Sequence, residues 1–466
     1  MNKANFGIIG LGVMGRGLAK NIANKGFTLS VYNRTTETEK DVVSNFLVDA
    51  KLNNIQGHTE MGSFVNSLGR PRKILLMVSA GQAVDSVITR LKPMLSESDI
   101  LIDGGNSHYQ DTQRRVSELI KDNIHFLGVG ISGGEQGALQ GPSMMVGGSE
   151  EVYDAVRTIF ESISAKDKNG QPCVSLLGPG GCGHFLKTIH NGIEYVEMQL
   201  LAECYSLLAP THSNEQISSL LREWNQDELS SYLLKITADI LVRKEGNDYL
   251  LDKILDKAGS KGTGSWSSQI AMQFGVPASM INAAVTTRYI SMLKEKRIEL
   301  ASMITAKRDI VPIDPETLKN TYTFARIINH YQGFEIVKSA SIANNWNVSL
   351  SEIARIWTQG CIIKSRLMES FVEILKSEDD FLKHSEVFSE VKNHENDIIL
   401  TLNNASNLGI ATPCISNSLQ YWFSMTTETS SAHLIQAQRD YFGAHTYQRI
   451  DKPSSDYFTT NWTING

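Results

Sequence analysis

The sequence lacks several features that would assign it to other classes of protein. Its five cysteines are odd in number, widely spaced and without a CxxC pair, which argues against a disulfide framework and predicts reduced thiols in the cytoplasm. No apolar run reaches the roughly 18 residues that a membrane-spanning helix needs. The 44 basic and 50 acidic residues are mixed and leave a net charge of −6, so neither nucleic acid nor a membrane is the expected partner. We therefore expect a cytoplasmic protein that binds a small molecule.

What is present is an alternation of short apolar runs with helical patterns over the first part of the 466 residues. This alternation predicts an α/β domain with a doubly wound parallel sheet at residues 1–178. The predicted strands are NFGIIG, FTLSVYN, KILLMVS, DILIDGG, IHFLGVG and CVSLLG. Helical periodicity then predicts a large all-helical domain at 179–440. Residues 441–466 lose that periodicity and predict an extended C-terminal tail.

A glycine-rich turn follows the first predicted strand and opens a helix. The segment GLGVMG contains Gly10, Gly12 and Gly15. The first glycine permits a tight turn, the second lets a pyrophosphate approach the backbone, and the third allows close packing of helix on strand. A single GxGxxG motif is weak evidence, but here the strand, the helix and a second strand follow in the right order. The pattern predicts a Rossmann-like dinucleotide site.

The residues that end the second predicted strand select the cofactor. An acidic side chain there would bind the ribose 2′-hydroxyl of NAD. This chain has Asn33, Arg34 and Thr35 instead, and a guanidinium beside amide and hydroxyl donors suits a 2′-phosphate. NADP is therefore the predicted cofactor, and the alternative that Arg34 is only a solvated turn residue stays open.

Two further predicted strands end in segments that could bind a substrate. Asn106 follows one strand in DGGNSHY, and Ser132, Gly133 and Gly134 follow another in GVGISGG. Ligands of open α/β sheets bind beyond the carboxyl ends of the strands. Exposed backbone N–H groups of a Ser-Gly-Gly turn can hold a carboxylate or an oxyanion. A flexible glycine loop without a ligand explains the turn equally well.

The segment GHFLKTIHNGIEYVEM places polar side chains on one face of a predicted helix. Lys187, His190, Asn191, Glu194 and Tyr195 recur at helical spacing, and apolar residues fill the other side. Lys187 and Glu194 are two turns apart, about 10.5 Å along the axis, so they could flank a small molecule as base and acid. A solvated stripe is the alternative. A metal site is less attractive because the face has one His, one Glu and no HxxxH pair.

Cationic residues later in the chain would suit a phosphorylated substrate. Lys261 lies in the glycine-rich KGTGSW, Arg288 in TTRYI, and Arg439 and His445 in QRDYFGAH. Isolated cations are usually surface residues. Guanidinium and ammonium groups nevertheless bind phosphate strongly where they converge.

Taken together, these motifs closely resemble the decarboxylating 6-phosphogluconate dehydrogenases. The resemblance covers nearly the whole chain and follows the family's order. It is carried by GLGVMG, YNRT, AGQAVD, DGGNSHYQDTQRR, GISGGEQGALQGPSMM, GHFLKTIHNGIEY, KGTGSW and QRDYFGAHTYQR. Ser79, in contrast, stands where the family commonly has a lysine beside the nicotinamide.

The resemblance implies oxidative decarboxylation of 6-phospho-D-gluconate to ribulose 5-phosphate with reduction of NADP, without a metal. Lys187 matches the family's base and Glu194 its acid, and we expect burial and neighbouring cations to lower the pKa of Lys187. The implied substrate ligands are Asn106, Ser132, Gly133, Gly134, His190, Asn191, Tyr195, Lys261 and Arg288. The implied cofactor contacts are Gly10, Leu11, Gly12, Val13, Met14, Gly15, Asn33, Arg34, Thr35, Val78, Ser79, Ala80 and Asn106. Arg439 and His445 match residues that reach the neighbouring subunit's site, which implies a homodimer with composite active sites.

Two other functions compete with this interpretation. Another β-hydroxyacid dehydrogenase would share the glycine turn, the Ser-Gly-Gly and the lysine, but would leave Lys261, Arg288, Arg439 and His445 without a role. A catalytically silent protein that senses NADPH would be expected to lack the acid–base pair, yet Lys187 is present in this sequence, as is its proposed partner carboxylic acid.

Overall fold

The computed structural model describes residues 3–37, 39–260, 262–304 and 310–462. Lys261, a predicted phosphate ligand, lies outside the described residues. Among those that are described, no helix combines the length and the apolar character needed to cross a membrane. The chain divides into two compact units, residues 1–418 and 419–466.

A sheet of eight strands organises the first part of the larger unit. The strands are β1 (Phe6–Ile9), β2 (Leu29–Tyr32), β3 (Ile55–His58), β4 (Lys73–Leu76), β5 (Ile100–Asp103), β6 (His125–Ile131), β7 (Met144–Gly147) and β8 (Val174–Gly178). Their spatial order is β3-β2-β1-β4-β5-β6-β7-β8. Strands β1 to β6 are parallel, β7 is antiparallel to β6, and β8 is parallel to β7. The predicted Rossmann-like, doubly wound fold is confirmed.

Helices follow the strands and then dominate the chain, as predicted. Those up to the end of the sheet region are α1 (Val13–Asn24), α2 (Val42–Ala50), α3 (Met61–Ser67), α4 (Gln82–Leu91), α5 (Tyr109–Leu119), α6 (Gly134–Gln140) and α7 (Glu150–Ile163). The next are α8 (Cys182–Leu208), α9 (Asn214–Trp224), α10 (Tyr232–Leu241), α11 (Thr263–Gln273), α12 (Ser279–Ser291) and α13 (Lys294–Ser302). The last are α14 (Pro315–Asn344), α15 (Leu350–Ile356), α16 (Arg366–Ile374), α17 (Ser385–Asn393), α18 (Glu395–Leu408), α19 (Pro413–Met425) and α20 (Ala432–Gly443). A short hairpin of β9 (Lys244–Glu245) and β10 (Asp248–Tyr249) interrupts the helical region.

The sheet is buried on both faces because its strands are apolar at consecutive positions. Ile8 of β1 belongs to one apolar core and Ile9 to the other. Leu75 and Leu76 of β4 divide in the same way. Strands covered by helices on both sides have this composition, and their polar ends are left for ligands.

Helix α8 packs directly on the sheet. A Cβ atom at Gly130 of β6 would lie 2.4 Å from the Lys187 Cβ, and one at Gly183 would lie 2.4 Å from the Gly128 carbonyl oxygen. Glycine at these two positions therefore allows the close approach of helix and strand. As a result, the polar face of α8 comes to the carboxyl end of β6.

The smaller unit contains α20 and a segment that returns to it, here called the C-terminal clasp (residues 440–462). The Asp440 carboxylate accepts hydrogen bonds from the Thr446 N–H at 3.0 Å, the Thr460 N–H at 3.0 Å and the Trp462 Nε1–H at 2.7 Å. Tyr447 and Phe458 exchange two backbone hydrogen bonds of 2.8 Å. The tail is thus folded around one buried carboxylate, and α20 ends at Gly443.

Candidate active site

The glycine turn after β1 has a steric reason for two of its three glycines. Gly10 has a φ of +99°, and a Cβ there would lie 2.4 Å from the Met77 carbonyl oxygen. A Cβ at Gly15 would lie 2.0 Å from the Gly10 carbonyl oxygen. No atom lies within 4 Å of the Cβ position at Gly12, which is the N-cap of α1. The turn is closed by Gly10 and Gly15 and open at Gly12, where a phosphate could meet the helix N-terminus.

Asn33, at the end of β2, holds this turn in place. Its Oδ1 accepts a hydrogen bond of 3.0 Å from the Leu11 N–H, and its Nδ2 donates to the Arg34 carbonyl oxygen at 3.0 Å. The Asn33 amide is therefore engaged inside the protein. Arg34 is different, because its side chain is 70% exposed and its Nε lies 2.9 Å from the Glu39 Oε2.

The other predicted cofactor contacts lie at the same edge of the sheet. Val13 and Met14 begin α1, Thr35 follows Arg34 on the exposed loop, and Val78, Ser79 and Ala80 follow β4. These side chains are half-buried or exposed. All of them lie beyond the carboxyl ends of parallel strands, which is where open α/β sheets bind ligands.

A buried charge network fixes the turn that carries Asn106. Asp103 ends β5 and accepts hydrogen bonds from the Ser107 hydroxyl at 2.6 Å and the Arg115 guanidinium at 3.2 Å. Arg115 also donates to the Gly81 carbonyl oxygen at 3.1 Å. Asn106 itself is exposed. Arg115 thus joins the turns after β4 and β5, and the second of these turns carries Asn106.

The polar face of α8 is not a solvated stripe. Lys187, His190, Asn191 and Tyr195 are all buried, and His190 is fully so. The Glu194 side chain keeps 21% of its surface exposed. A buried row of this composition is unusual for a structural helix, and it favours a role in binding or catalysis.

Five of the predicted substrate and catalytic residues meet at the end of β6. The Lys187 Nζ lies 3.1 Å from the Ser132 Oγ and 3.3 Å from the His190 Nδ1. The Ser132 Oγ also lies 3.2 Å from the His190 Nε2. Glu194 continues the row, with its Oε2 3.7 Å from the His190 Nδ1. Asn191 Oδ1 lies 3.4 Å from the same imidazole nitrogen. An amine, an imidazole and a carboxyl group therefore line one side of the site.

Burial shifts both proposed catalytic groups toward their neutral forms. It lowers the pKa of Lys187 below the ordinary value, and the Glu194 carboxylate opposes that shift. It raises the pKa of Glu194 above the ordinary value, and Lys187 and Arg288 oppose that shift. The sequence-based expectation that neighbouring cations help to lower the pKa of Lys187 is wrong. Burial alone lowers this pKa, and the Glu194 and Cys361 side chains raise it.

A second group of predicted residues is centred on Tyr195, which directly follows Glu194 in α8. The Arg288 guanidinium of α12 lies over the Tyr195 ring, 3.4 Å from its centroid, and donates to the Gly259 carbonyl oxygen at 3.2 Å. The Tyr195 hydroxyl lies 3.3 Å from the Ser260 Oγ. Gly264 faces the ring so closely that a Cβ there would lie 2.4 Å from it. The structure thus joins Tyr195 and Arg288 to the loop that precedes α11.

Sequence reasoning missed the segment that closes the site behind Ser132. Trp357 is fully buried and stands edge-on to the His190 imidazole, with centroids 5.5 Å apart. Gly133 has a φ of +109°, and a Cβ there would lie 2.6 Å from the Gly360 carbonyl oxygen. The Cys361 thiol donates to the Trp357 carbonyl oxygen at 3.1 Å. Trp357, Gly360 and Cys361 lie more than 150 positions after Lys187 in the chain, so no local sequence pattern could connect them with Lys187.

The remaining predicted residues belong to the smaller unit. Arg439 is exposed and donates to the Gln436 Oε1 at 3.0 Å. His445 stands edge-on to Phe442, with ring centroids 5.7 Å apart. In the part of the chain that the structure describes, no group of three His, Cys, Asp or Glu side chains could hold a metal ion.

Comparison with known proteins gives matches over almost the whole chain. Two family models match, the NAD binding domain of 6-phosphogluconate dehydrogenase at residues 5–178 and the C-terminal domain of 6-phosphogluconate dehydrogenase at residues 183–462. The chain is 43% identical to the Bacillus subtilis "6-phosphogluconate dehydrogenase, NADP(+)-dependent, decarboxylating" over 99% of this chain and 100% of that one. It is 42% identical to the Lactococcus lactis "6-phosphogluconate dehydrogenase, decarboxylating" over 97% and 98% of the two chains.

A solved structure agrees with these matches. Plasmodium falciparum 6-phosphogluconate dehydrogenase superimposes with a TM-score of 0.92 at 37% identity, over 98% of this chain and 100% of that one. That protein is described in its apo form and in complexes with its cofactor NADP⁺ and its substrate 6-phosphogluconate. The glycine turn, the buried face of α8 and these matches agree, and the chain belongs to the 6-phosphogluconate dehydrogenase family.

Proposed function

We propose that this protein converts 6-phospho-D-gluconate and NADP to D-ribulose 5-phosphate, carbon dioxide and NADPH. The observation that carries the proposal is the buried row of Lys187, His190 and Glu194, set beside Ser132 at the end of β6. Helix α8, which carries the row, packs on a sheet whose first glycine turn is open at Gly12, where a phosphate could approach the backbone. The choice of substrate rests on family membership, since the relatives are named as decarboxylating 6-phosphogluconate dehydrogenases.

Lys187 acts first, as the general base. Because burial lowers its pKa, it is neutral in a larger fraction of molecules and can accept the proton of the substrate 3-hydroxyl. A bound NADP would supply the acceptor for the hydride that leaves C3. The residues that would hold it are Gly10 to Gly15, Asn33, Arg34, Thr35, Val78, Ser79, Ala80 and Asn106. Lys187 leaves this step as an ammonium group beside the new carbonyl oxygen.

Decarboxylation and reprotonation use the same two side chains. The C1 carboxylate leaves as carbon dioxide, and its bonding electrons pass into the C2–C3 bond while the C3 oxygen takes the negative charge. Protonated Lys187 stabilises that oxygen, so we propose that no metal is needed. The raised pKa of Glu194 favours its protonated form, which then donates its proton to C2 of the enolate, so that the C3 oxygen becomes the carbonyl oxygen of the product.

The other residues of the site hold the substrate. We assign Asn106, Ser132, Gly133, Gly134, His190 and Asn191 to the sugar acid. Tyr195, Lys261 and Arg288 are assigned to the phosphate end. Their support is spatial, because Tyr195 follows Glu194 directly in α8 and the Arg288 guanidinium is stacked on its ring. A guanidinium is the kind of cation that binds phosphate bidentately.

We further propose a cytoplasmic homodimer in which Arg439 and His445 reach the partner's substrate phosphate. The domains would be 1–178, 179–440 and a tail at 441–466 that contacts the partner. Helices α12 and α13 and the turn between them expose an apolar surface that supports dimerisation. Its members are Tyr289, Ile290, Met292, Leu293, Ile298 and Leu300. The five free, buried cysteines support the cytoplasmic location.

The test is absorbance at the NADPH band with purified protein, 6-phosphogluconate and either NADP or NAD, with carbon dioxide measured in parallel. NADP-dependent reduction with equimolar carbon dioxide supports the proposal, and Lys187→Ala should abolish both. Gluconate without phosphate is the matched substrate control. Equal turnover of gluconate would contradict the phosphate assignment, and absence of reduction with either nucleotide would contradict the reaction itself.

A further inference from the structure

In the loop after β2, the carboxylate of Glu39 is paired with Arg34, the cation that is predicted to bind a phosphate. Arg34 is the side chain that would bind the 2′-phosphate of NADP. In the structure its Nε lies 2.9 Å from the Glu39 Oε2. The Glu39 side chain is 35% exposed and the Arg34 side chain 70% exposed. This pair therefore forms at the surface, within the loop that would face the adenosine ribose.

The pair affects the two nucleotides differently. A guanidinium has five N–H donors in a fixed fork, and a carboxylate on its Nε edge leaves only part of that fork for a second anion. The 2′-phosphate of NADP carries negative charge and would have to displace Glu39 or share Arg34 with it. The 2′-hydroxyl of NAD carries no charge, so its binding is not opposed in this way.

We propose that Glu39 is a specificity-determining residue that weakens the preference for NADP over NAD by competing with the 2′-phosphate for Arg34. This inference rests on the proposed function only in assigning the nucleotide to the glycine turn after β1 and its 2′-phosphate to Arg34. It concerns binding, so it can be tested separately from decarboxylation.

The experiment is titration calorimetry of the full chain with 2′,5′-ADP, which carries the 2′-phosphate, and with 5′-AMP, which lacks it. The test variant is Glu39→Gln. Glu37→Gln is the matched control, because Glu37 is exposed in the same loop and the same charge is removed. We expect Glu39→Gln to bind 2′,5′-ADP about fivefold more tightly at low ionic strength, and the gain should shrink with added salt because the groups are exposed. Glu37→Gln should change the affinity less than about twofold.

A second background separates competition from simple repulsion. In Arg34→Ala the cation is absent, so adding Glu39→Gln should give no further gain in affinity for 2′,5′-ADP. A gain of the same size in that background would overturn competition for Arg34. Unchanged or weaker 2′,5′-ADP binding in Glu39→Gln alone, or an equal gain for 5′-AMP, would also overturn the proposal.

The kinetic counterpart is the ratio of kcat/KM for NADP to that for NAD. It should rise about fivefold in Glu39→Gln and stay constant in Glu37→Gln. If the wild-type protein binds 2′,5′-ADP but does not decarboxylate 6-phosphogluconate, the proposed reaction fails while the binding comparison still decides the role of Glu39. If the ratio stays unchanged while binding tightens, Glu39 does not determine specificity in turnover.

Discussion

The two ends of the candidate active site offer different groups to a ligand: backbone at the cofactor end and buried side chains at the chemical end. At the cofactor end, the turn from Gly10 to Gly15 offers backbone, and the charged side chain of Arg34 is mostly in water. At the chemical end, Lys187 and His190 on α8 are buried side chains whose pKa values burial lowers.

The difference shows that recognition and proton transfer need different surroundings. A pyrophosphate needs N–H groups and space, and glycine provides both without having to be buried away from water. A lysine that accepts protons near neutral pH needs removal from water, because a solvated ammonium keeps its proton. Substitutions at the two ends should therefore fail in different ways.

The largest effect is expected at the buried end. Lys187→Met keeps the length of the side chain and removes the amine, so kcat should fall by about 10²- to 10⁴-fold. Binding of NADPH, measured by fluorescence titration, should stay within about twofold, since the glycine turn is untouched. A weaker loss of kcat would show that another group is the base, and a large fall in Tm would show that the fold has failed instead.

The pH dependence should also belong to the buried end alone. Lys187 accepts a proton only when it is neutral, and its lowered pKa moves the acidic limb of kcat/KM to lower pH than an ordinary lysine gives. Glu194 donates only when it is protonated, and its raised pKa moves the alkaline limb to higher pH than an ordinary glutamate gives. Glu194→Gln should remove the alkaline limb. Arg34→Ala should leave both limbs in place, and a shift of either would break the comparison.

Two alanine substitutions in one turn should separate a glycine that the backbone requires from one that it does not. Gly10→Ala places a Cβ 2.4 Å from the Met77 carbonyl oxygen at a φ of +99°, so the free energy of unfolding should fall by about 1–3 kcal/mol. Gly12→Ala meets no atom within 4 Å, so stability should change by less than about 0.5 kcal/mol and NADPH binding should stay within about twofold. Urea denaturation and NADPH titration measure the two effects. Equal destabilisation by both would refute the steric account.

The smallest effect on the fold is expected at Arg34. Arg34→Ala should raise the KM for NADP about tenfold and leave the KM for NAD nearly unchanged. Because the side chain is 70% exposed, the free energy of unfolding should change by less than about 0.5 kcal/mol. Steady-state kinetics with both nucleotides decide the point, and an equal rise in both KM values would mean that Arg34 does not contact the 2′-phosphate.

The sequence predicted most of the sheet but missed β3 and β7. β3 is the edge strand IQGH, which has only one fully buried residue and therefore little apolar signal. β7 is MMVG, which is fully buried but short and preceded by Gly141 and Pro142, so its apolar run does not stand out as a strand. β7 is also the strand that reverses direction. Short strands beside glycine and proline lack the alternation that identifies a strand.

The site was predictable where one segment carries it and not where distant segments meet. The spacing of Lys187, His190 and Glu194 placed them on one face without any tertiary information. Trp357 and Gly360 contact that region only through the fold. The pairing of Arg34 with Glu39 was also missed, since the pattern of a turn does not show which of its carboxylates an exposed guanidinium will meet.

Because of Asp440, the C-terminal clasp loses its conformational entropy when the unit folds and not when a partner docks. Its carboxylate joins α20 to Thr446, Thr460 and Trp462 within one small unit. Fixing a backbone residue costs about 1–2 kcal/mol of conformational entropy, and here that loss belongs to the folding of the unit itself. A surface that docks on the clasp meets an ordered segment, so its affinity is not reduced by an ordering step at encounter.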